Sequence, residues 1–185
     1  MEFMDFVGFP KMPRLSREVI ITEKLDGTNG QIYIAEDGVS MSVGSRNRWI
    51  TPSDDNMGFA RWCDDNYNEL LTLGPGRHFG EWWGQKIQRT YGLKERRFSL
   101  FNTLRWEGKQ PSCCHVVPVI KRGIFCTRLV DDAMAELIAY GSKAAPGFQD
   151  PEGVIVYHLA GNFGMKKTLI GDEEPKGVYS RRSIK

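Results

Sequence analysis

Short segments of β-branched or alternating apolar residues recur along this sequence, and most are bounded by glycine, proline or other turn-forming residues. Such segments predict β-strands. The predicted strands are residues 18–24, 31–36, 39–44, 77–82, 97–104, 116–120, 153–158 and 163–169. Helical spacing of apolar residues is confined to 57–73, which Gly74-Pro75-Gly76 terminates, and 131–144. The pattern predicts a strand-rich α+β fold, in a single domain over residues 1–185.

The dipeptide Asp26-Gly27 lies between the first two predicted strands. Because this dipeptide favours tight turns, residues 18–24 and 31–36 are predicted to pair as a hairpin. One lysine, Lys24, ends the first strand immediately before the turn, within the sequence Glu23-Lys24-Leu25-Asp26-Gly27-Thr28-Asn29-Gly30. Taken alone, this motif also fits an exposed lysine beside an ordinary turn.

Composition and charge exclude several classes of protein. Lysine and arginine number 25 and aspartate and glutamate 23, so the net charge of +2 excludes a histone-like polycation. The longest apolar stretches, 115–120 and 154–159, are too short to span a bilayer as a helix, so a soluble protein is expected. Residues 1–10 lack the basic region of a secretory signal, and the four cysteines form no CxxC pair. A cytoplasmic protein is therefore expected.

Positive charge is concentrated in two windows. Residues 85–109 contain seven basic and two acidic side chains, and residues 164–185 contain six basic and three acidic side chains. Both windows are candidates to face phosphates. On charge alone, a solvated surface without a partner fits equally well.

Further motifs follow the lysine motif in order along the chain. They are Ser45-Arg46-Asn47, Phe79-Gly80-Glu81-Trp82, Phe98-Ser99-Leu100-Phe101, Glu152-Gly153-Val154-Ile155-Val156 and Met165-Lys166-Lys167. With this ordered set the chain resembles the covalent nucleotidyltransferases, the superfamily of ATP-dependent polynucleotide ligases and mRNA capping enzymes, and is most similar to the phage-type RNA ligases. The resemblance covers residues 11–177. It implies a nucleotidyltransferase domain of mainly antiparallel sheets with flanking helices, similar to the ATP-grasp fold.

The resemblance implies covalent catalysis at Lys24. A lysine amine in this family attacks the α-phosphate of ATP, expels pyrophosphate and holds AMP as a phosphoramidate, so that one difficult transfer becomes two. An ordinary lysine amine, with a pKa of about 10.4, is mostly protonated at neutral pH. Nearby positive charge favours the neutral form, and Lys166 together with bound Mg²⁺ could supply it.

The resemblance also implies contacts to the nucleoside of ATP. Arg46 and Glu81 would hold the ribose, and Phe101 would stack on adenine. Considered singly, an aromatic residue in a strand is expected in the core, and a carboxylate beside glycine is expected in a turn. The order of the motifs outweighs these alternatives.

Metal and phosphate contacts are implied at the remaining motifs. Glu152 would help to bind Mg²⁺ or Mn²⁺, and Asn29 would lie near the reacting phosphate and the incoming 3′-hydroxyl. The residues expected to bind ATP are Glu23, Lys24, Asn29, Arg46, Glu81, Phe101, Lys166 and Lys167, with Lys24 and Lys166 catalytic.

Three features separate this chain from parts of the superfamily. DNA ligases and capping enzymes usually have arginine where this chain has Asn29, so RNA ends are favoured. The last motif of many relatives is Lys-x-Lys, whereas Thr168 follows Lys166-Lys167 here. Either Lys167 or Lys176 would then assist the departure of pyrophosphate, or this step would be weaker than in those relatives. The third feature is length, because the chain ends soon after the last motif, so no appended oligonucleotide-binding barrel or helical domain is expected.

The function expected from the resemblance is ATP-dependent ligation of RNA, joining a 5′-phosphate to a 3′-hydroxyl through lysyl-AMP and an adenylylated 5′ end. The partners expected are RNA ends, with DNA-containing strands left open, no membrane, and a monomeric protein. One alternative is a minimal DNA nick ligase. Another is a non-catalytic nucleic-acid-binding relative, which the missing second lysine and missing second domain would favour.

Other residue types carry weaker signals. Trp49, Trp82, Trp83 and Trp106 are candidates to stack on bases, although core packing is expected for at least half of them. Cys113-Cys114-His115 lacks the spacing of a zinc site. The histidines His78, His115 and His158 have no partners at catalytic spacing and are expected to be structural.

Overall fold

Two β-sheets and four helices form the part of the chain that the computed structural model describes, residues 4–173. The strands are β1 (Glu18–Lys24), β2 (Thr28–Ile34), β3 (Met41–Gly44), β4 (Trp49–Ile50), β5 (Gly76–Gly84), β6 (Arg96–Leu100), β7 (His115–Val116), β8 (Val119–Ile124), β9 (Gly153–His158) and β10 (Phe163–Thr168). The helices are α1 (Phe59–Asp65), α2 (Tyr67–Leu70), α3 (Thr103–Trp106) and α4 (Thr127–Tyr140). All named strand pairs are antiparallel except β6–β7. The predicted α+β fold of mainly antiparallel sheets is confirmed.

The first sheet has the strand order β10-β9-β1-β8, with α4 packed on one face. Alternate residues of a strand point to opposite faces, so the apolar residues of β1 contact α4 on one face and a cavity on the other. Val19 and Ile21 are fully buried in a cluster with Leu137 of α4. Ile20 and Thr22 line a cavity on the other face. Full burial of one such aliphatic side chain contributes about 1.5–3 kcal/mol, which fixes β1 firmly at the centre of this sheet.

The second sheet has the strand order β4-β3-β2-β5-β6-β7, with α1 packed on its core face. Gly30 of β2 lies directly opposite Gly80 of β5. A Cβ atom at Gly30 would lie 2.6 Å from the ring of Phe59, and one at Gly80 would lie 2.7 Å from the ring of Phe98. These two glycines therefore leave the space in which the aromatic rings of the core pack against the sheet.

The predicted hairpin around Asp26-Gly27 is wrong. The strand β1 pairs with β8 and β9, whereas β2 pairs with β3 and β5, so residues 25–27 cross from one sheet to the other. Leu25 is buried between the sheets. The backbone N–H of Asp26 donates to the Tyr91 hydroxyl at 2.7 Å, and that of Gly27 donates to Glu81 at 3.0 Å. Contacts with residues distant in sequence thus override the local turn preference.

The long helix predicted over 57–73 is interrupted. The structure has α1 and α2 separated at Asn66, followed by a 3-10 turn at Leu71–Leu73. The Asn66 side chain donates to the Trp62 carbonyl at 2.7 Å, and this side-chain bond to the backbone accompanies the break. The second predicted helix is confirmed as α4, which begins and ends four residues earlier than expected.

Several predicted strands are shifted at their ends by one to three residues, and two differ in more than their ends. Residues 97–104 were expected to form one strand, but β6 ends at Leu100 because Asn102 caps α3, accepting a hydrogen bond from the Arg105 backbone at 3.1 Å. Residues 116–120 contribute to two strands, β7 and β8, which belong to different sheets. Among the described residues, no helix combines the length and apolar character needed to cross a membrane.

Candidate active site

A cavity of about 750 Å³ lies between the two sheets. It is bounded by the inner face of β1, β9 and β10 on one side and by β2, β5 and the start of α3 on the other. The structure brings seven of the predicted site residues to its wall, namely Glu23, Lys24, Asn29, Arg46, Glu81, Phe101 and Lys166. These residues come from five of the six sequence motifs, so the two-sheet fold is what assembles them.

Lys24 ends β1 at the entrance of the interior segment 25–27. Its Nζ atom donates to Glu152 Oε2 at 2.5 Å, and the two side chains are only 17% and 7% exposed. The register explains this pair, because Lys24 lies opposite Gly153 in the β1–β9 ladder and Glu152 precedes β9 directly. A charge-assisted bond of this kind between partly buried groups holds the amine in one position.

Glu81 connects the second sheet to the segment that follows Lys24. Its carboxylate accepts from the Gly27 backbone and from the Asn29 side chain, each at 3.0 Å. Burial raises the pKa of Glu81 to about 7, although the positive charge of Lys24 and the bond from Gly27 act in the opposite direction. A Cβ atom at Gly27 would lie 2.4 Å from the Trp82 carbonyl oxygen, so glycine permits this close contact.

The nucleoside-binding candidates lie where the cavity opens. Phe101 is 41% exposed, so its ring is available for stacking and is not part of the core. Arg46 is exposed on the tight turn after β3, in which the Ser45 N–H donates to the Arg48 carbonyl. Lys166 reaches the cavity from β10, opposite Ile155 of β9.

Two predicted ATP-binding residues direct their charged groups elsewhere. The buried Glu23 carboxylate accepts hydrogen bonds from Ser142, Lys143 and Ala144 at 2.6–2.9 Å, and burial raises its pKa. Lys167 neighbours Lys166 and therefore points to the opposite face of β10, where Nζ binds Asp131 of α4 at 2.9 Å. Lys176 lies outside the described residues.

Two residues outside the sequence motifs, Arg89 and Tyr91, hold the segment that follows Lys24. Arg89 donates to Asp26 at 3.1 Å and to Asp150 at 2.5 Å, and Tyr91 accepts the Asp26 N–H. These contacts join residues 61 to 65 positions apart. Neither Arg89 nor Tyr91 belongs to a motif, so the one available signal was the basic window 85–109.

The RNA ligase family model matches residues 17–169, which include every strand and helix described above. The chain belongs to the RNA ligase family. No curated protein sequence matches the chain.

Solved RNA ligase structures share this fold at low identity. A Naegleria gruberi RNA ligase variant with ATP and Mn is 19% identical, with a TM-score of 0.61, over 90% of this chain and 57% of that one. The same ligase with PPi is 19% identical, with a TM-score of 0.55, again over 90% of this chain and 57% of that one. A further variant with AMP and Mn is 20% identical, with a TM-score of 0.56, over 83% of this chain and 50% of that one. The present chain thus spans about half the length of these ligases.

The donor set of this RNA ligase family member suits a metal bound jointly with a substrate. Within residues 4–173, no three His, Cys, Asp or Glu side chains are placed to hold a metal ion by themselves. Mg²⁺ is commonly held by one or two carboxylates together with substrate phosphates. Glu152, next to Lys24, is a carboxylate that fits this arrangement.

Proposed function

We propose that this protein is an ATP-dependent RNA ligase that joins a 5′-phosphate to a 3′-hydroxyl through AMP linked covalently to Lys24. The observation that carries the proposal is that Lys24, paired with Glu152, lines a cavity together with Arg46, Glu81 and Lys166. Membership of the RNA ligase family supports it. Structures of the Naegleria gruberi RNA ligase with ATP and Mn, with AMP and Mn, and with PPi support it further, because ATP is the substrate and AMP and PPi are the products of such a cycle.

The first step forms lysyl-AMP. The neutral amine of Lys24 attacks the α-phosphorus of ATP, so that an N–P bond forms, the P–O bond to pyrophosphate breaks, and the attacking nitrogen releases one of its two protons to solvent. Positioning and electrostatics dominate such transfers. Lys166 faces the same cavity from β10, where its charge would balance the negative charge of the phosphates.

Two transfers complete the cycle. A phosphate oxygen of the RNA 5′ end attacks the AMP phosphorus and displaces Lys24, which leaves an adenylylated end. The RNA 3′-hydroxyl then attacks the 5′-phosphate, a phosphodiester bond forms, and AMP leaves. Asn29 lines the same cavity, and the hydrogen bond from its amide to Glu81 would hold it near the place where these ends meet.

Mg²⁺ or Mn²⁺ would be held by Glu152 with the phosphates of ATP. Such a metal stabilises negative charge on phosphoryl oxygens. Glu152 also accepts the hydrogen bond from the Lys24 amine, so the carboxylate that would hold the metal also positions the nucleophile.

The test is incubation with α-labelled ATP and Mg²⁺, followed by a denaturing gel and intact mass measurement. Wild type is expected to gain the mass of AMP, and Lys24→Ala is expected to show no adduct. Lys109→Ala removes an exposed lysine outside the cavity and serves as the control, with labelling equal to wild type. A Lys24→Ala protein that still becomes labelled would contradict the assignment.

The choice of RNA is tested with labelled strands. The labelled protein is mixed with matched RNA and DNA ends that carry a 5′-phosphate and a 3′-hydroxyl. Faster joining of RNA is expected from Asn29, and faster joining of DNA would favour the nick ligase alternative. Labelling without any joining would leave adenylylation in place and exclude ligation by this chain alone.

A further inference from the structure

An exposed surface continues from the cavity along the second sheet. Four side chains form it, and we call them the aromatic shelf: Tyr33 of β2, Trp49 of β4, and Arg77 and Phe79 of β5. Trp49 is 51% exposed and Phe79 is 50% exposed, and Arg77 is exposed beside them. Large exposed rings grouped in this way commonly mark a binding surface.

Strand alternation places the shelf on the same face as the active-site carboxylate. Along β5 the residues Trp83, Glu81, Phe79 and Arg77 share one face, and they change in order from buried to exposed. At about 3.4 Å per residue, Phe79 lies about 7 Å and Arg77 about 14 Å beyond Glu81 along the strand. These intervals suit successive nucleotides of an extended strand whose end is at the cavity.

The shelf is organised before any ligand binds. The guanidinium of Arg77 lies 4.7 Å from the ring centre of Tyr33 and 5.6 Å from that of Trp49. The ring of Trp49 covers Gly44, where a Cβ atom would lie 3.3 Å from it. Contacts with Arg77 and with Gly44 therefore set the orientation of the Trp49 ring.

Charge on this face favours a polyanion. No carboxylate among residues 4–173 forms a salt bridge with Arg77 or Arg46. On the cavity face of β2 and β5, the one acidic side chain in the described chain is Glu81, inside the cavity. Unpaired guanidinium groups beside exposed rings fit phosphates and bases better than an apolar protein surface.

We propose that the aromatic shelf binds unpaired nucleotides of the RNA strand whose end enters the cavity. Bases stack on Trp49 and Phe79, and Arg77 contacts a phosphate. Proteins recognise single-stranded RNA by stacking its splayed bases on aromatic rings. Bases within a duplex are already stacked on one another and cannot bind in this way. The proposal rests on the proposed ligase function and specifies that the substrate is single-stranded next to the joined end.

The test compares Trp49→Ala/Arg77→Ala with a matched control, Tyr140→Ala/Arg128→Ala. The control removes an exposed aromatic residue and an exposed arginine from α4, on the far side of the first sheet. Fluorescence anisotropy measures binding of a labelled single-stranded RNA of about 12 nucleotides, and of the same sequence in a blunt duplex. The shelf variant is expected to bind the single strand at least about tenfold more weakly than wild type, while the control is unchanged.

Adenylylation of Lys24 without RNA separates the two hypotheses. The shelf variant is expected to form lysyl-AMP at the wild-type rate, because none of its substituted side chains lines the cavity. Equal binding of single-stranded RNA by wild type and the shelf variant would overturn the shelf proposal. The proposal would also be overturned if the shelf variant lost the same factor of affinity for single-stranded and for duplex RNA, since stacking on unpaired bases would then play no part. Absence of lysyl-AMP in wild type would instead count against the ligase function.

Discussion

Replacing Glu81 by glutamine is expected to stabilise the ligand-free protein at neutral and alkaline pH while impairing nucleotide chemistry. The Glu81 side chain is 8% exposed and accepts bonds from Gly27 and Asn29. A glutamine oxygen can keep the bond from Gly27, and its amide can donate to Asn29 once the Asn29 amide is reversed. The substitution therefore removes a buried charge and keeps both contacts.

The magnitude follows from the raised pKa of Glu81. Burial moves this pKa from the ordinary value of 4.5 to about 7. Between these two values the folded protein keeps a proton that the unfolded chain releases, so the free energy of unfolding falls as the pH rises. At about 1.4 kcal/mol for each pH unit, the full penalty is about 3 kcal/mol above pH 7 and disappears below pH 4.5.

The assay is urea denaturation of wild type and Glu81→Gln at about pH 5 and about pH 8, without ATP or metal. The variant is expected to gain about 2–3 kcal/mol relative to wild type at the higher pH and less than about 1 kcal/mol at the lower. Glu18→Gln, at an exposed position of β1, is expected to show no such pH-dependent difference. A gain for Glu81→Gln that is the same at both pH values would refute the reasoning.

Two other substitutions probe the placement of side chains in and behind the cavity. Lys166→Ala is expected to slow lysyl-AMP formation by at least about tenfold, whereas Lys167→Ala is expected to leave the rate within about twofold, because Lys167 faces away from the cavity. Comparable losses in a labelled-ATP time course would contradict this orientation. Gly27→Ala is expected to lower the free energy of unfolding by about 1–3 kcal/mol or more, since its Cβ would lie 2.4 Å from the Trp82 carbonyl. Gly164→Ala, with 3.6 Å to its nearest neighbour, is the control, and similar denaturation midpoints would refute the close-contact argument.

The sequence predicted most strands and the grouping of the site, because both depend on local pattern or motif order. The strand Glu18–Lys24 was predicted with its observed bounds, and Glu81, Phe101 and Lys166 do meet Lys24 around one cavity. Of the tryptophans considered for base stacking, Trp49 alone is exposed, which agrees with the expectation that at least half pack in the core.

The wrong structural predictions share a cause, because contacts between residues distant in sequence produce no pattern within a short window of sequence. Asp26-Gly27 has the composition of a hairpin turn, but its conformation is set by Tyr91 and Glu81. Glu23 lines the cavity beside Lys24, where it was expected. Its carboxylate, however, accepts hydrogen bonds from the segment after α4, which lies 119 to 121 residues away, and no spacing rule could reveal this contact.

The crossing of the chain between sheets has a consequence for folding. The second sheet is built from one continuous stretch, Thr28 to Val116, whereas the first sheet pairs β1 with strands made much later. During synthesis the second sheet can assemble while β1 has no partner. Lys24 can meet Glu152 only after a further 128 residues have been added to the growing chain. Until Ile124 has been added, β1 is an apolar strand without its neighbours, and its pairing with β8 and then β9 covers both of its edges.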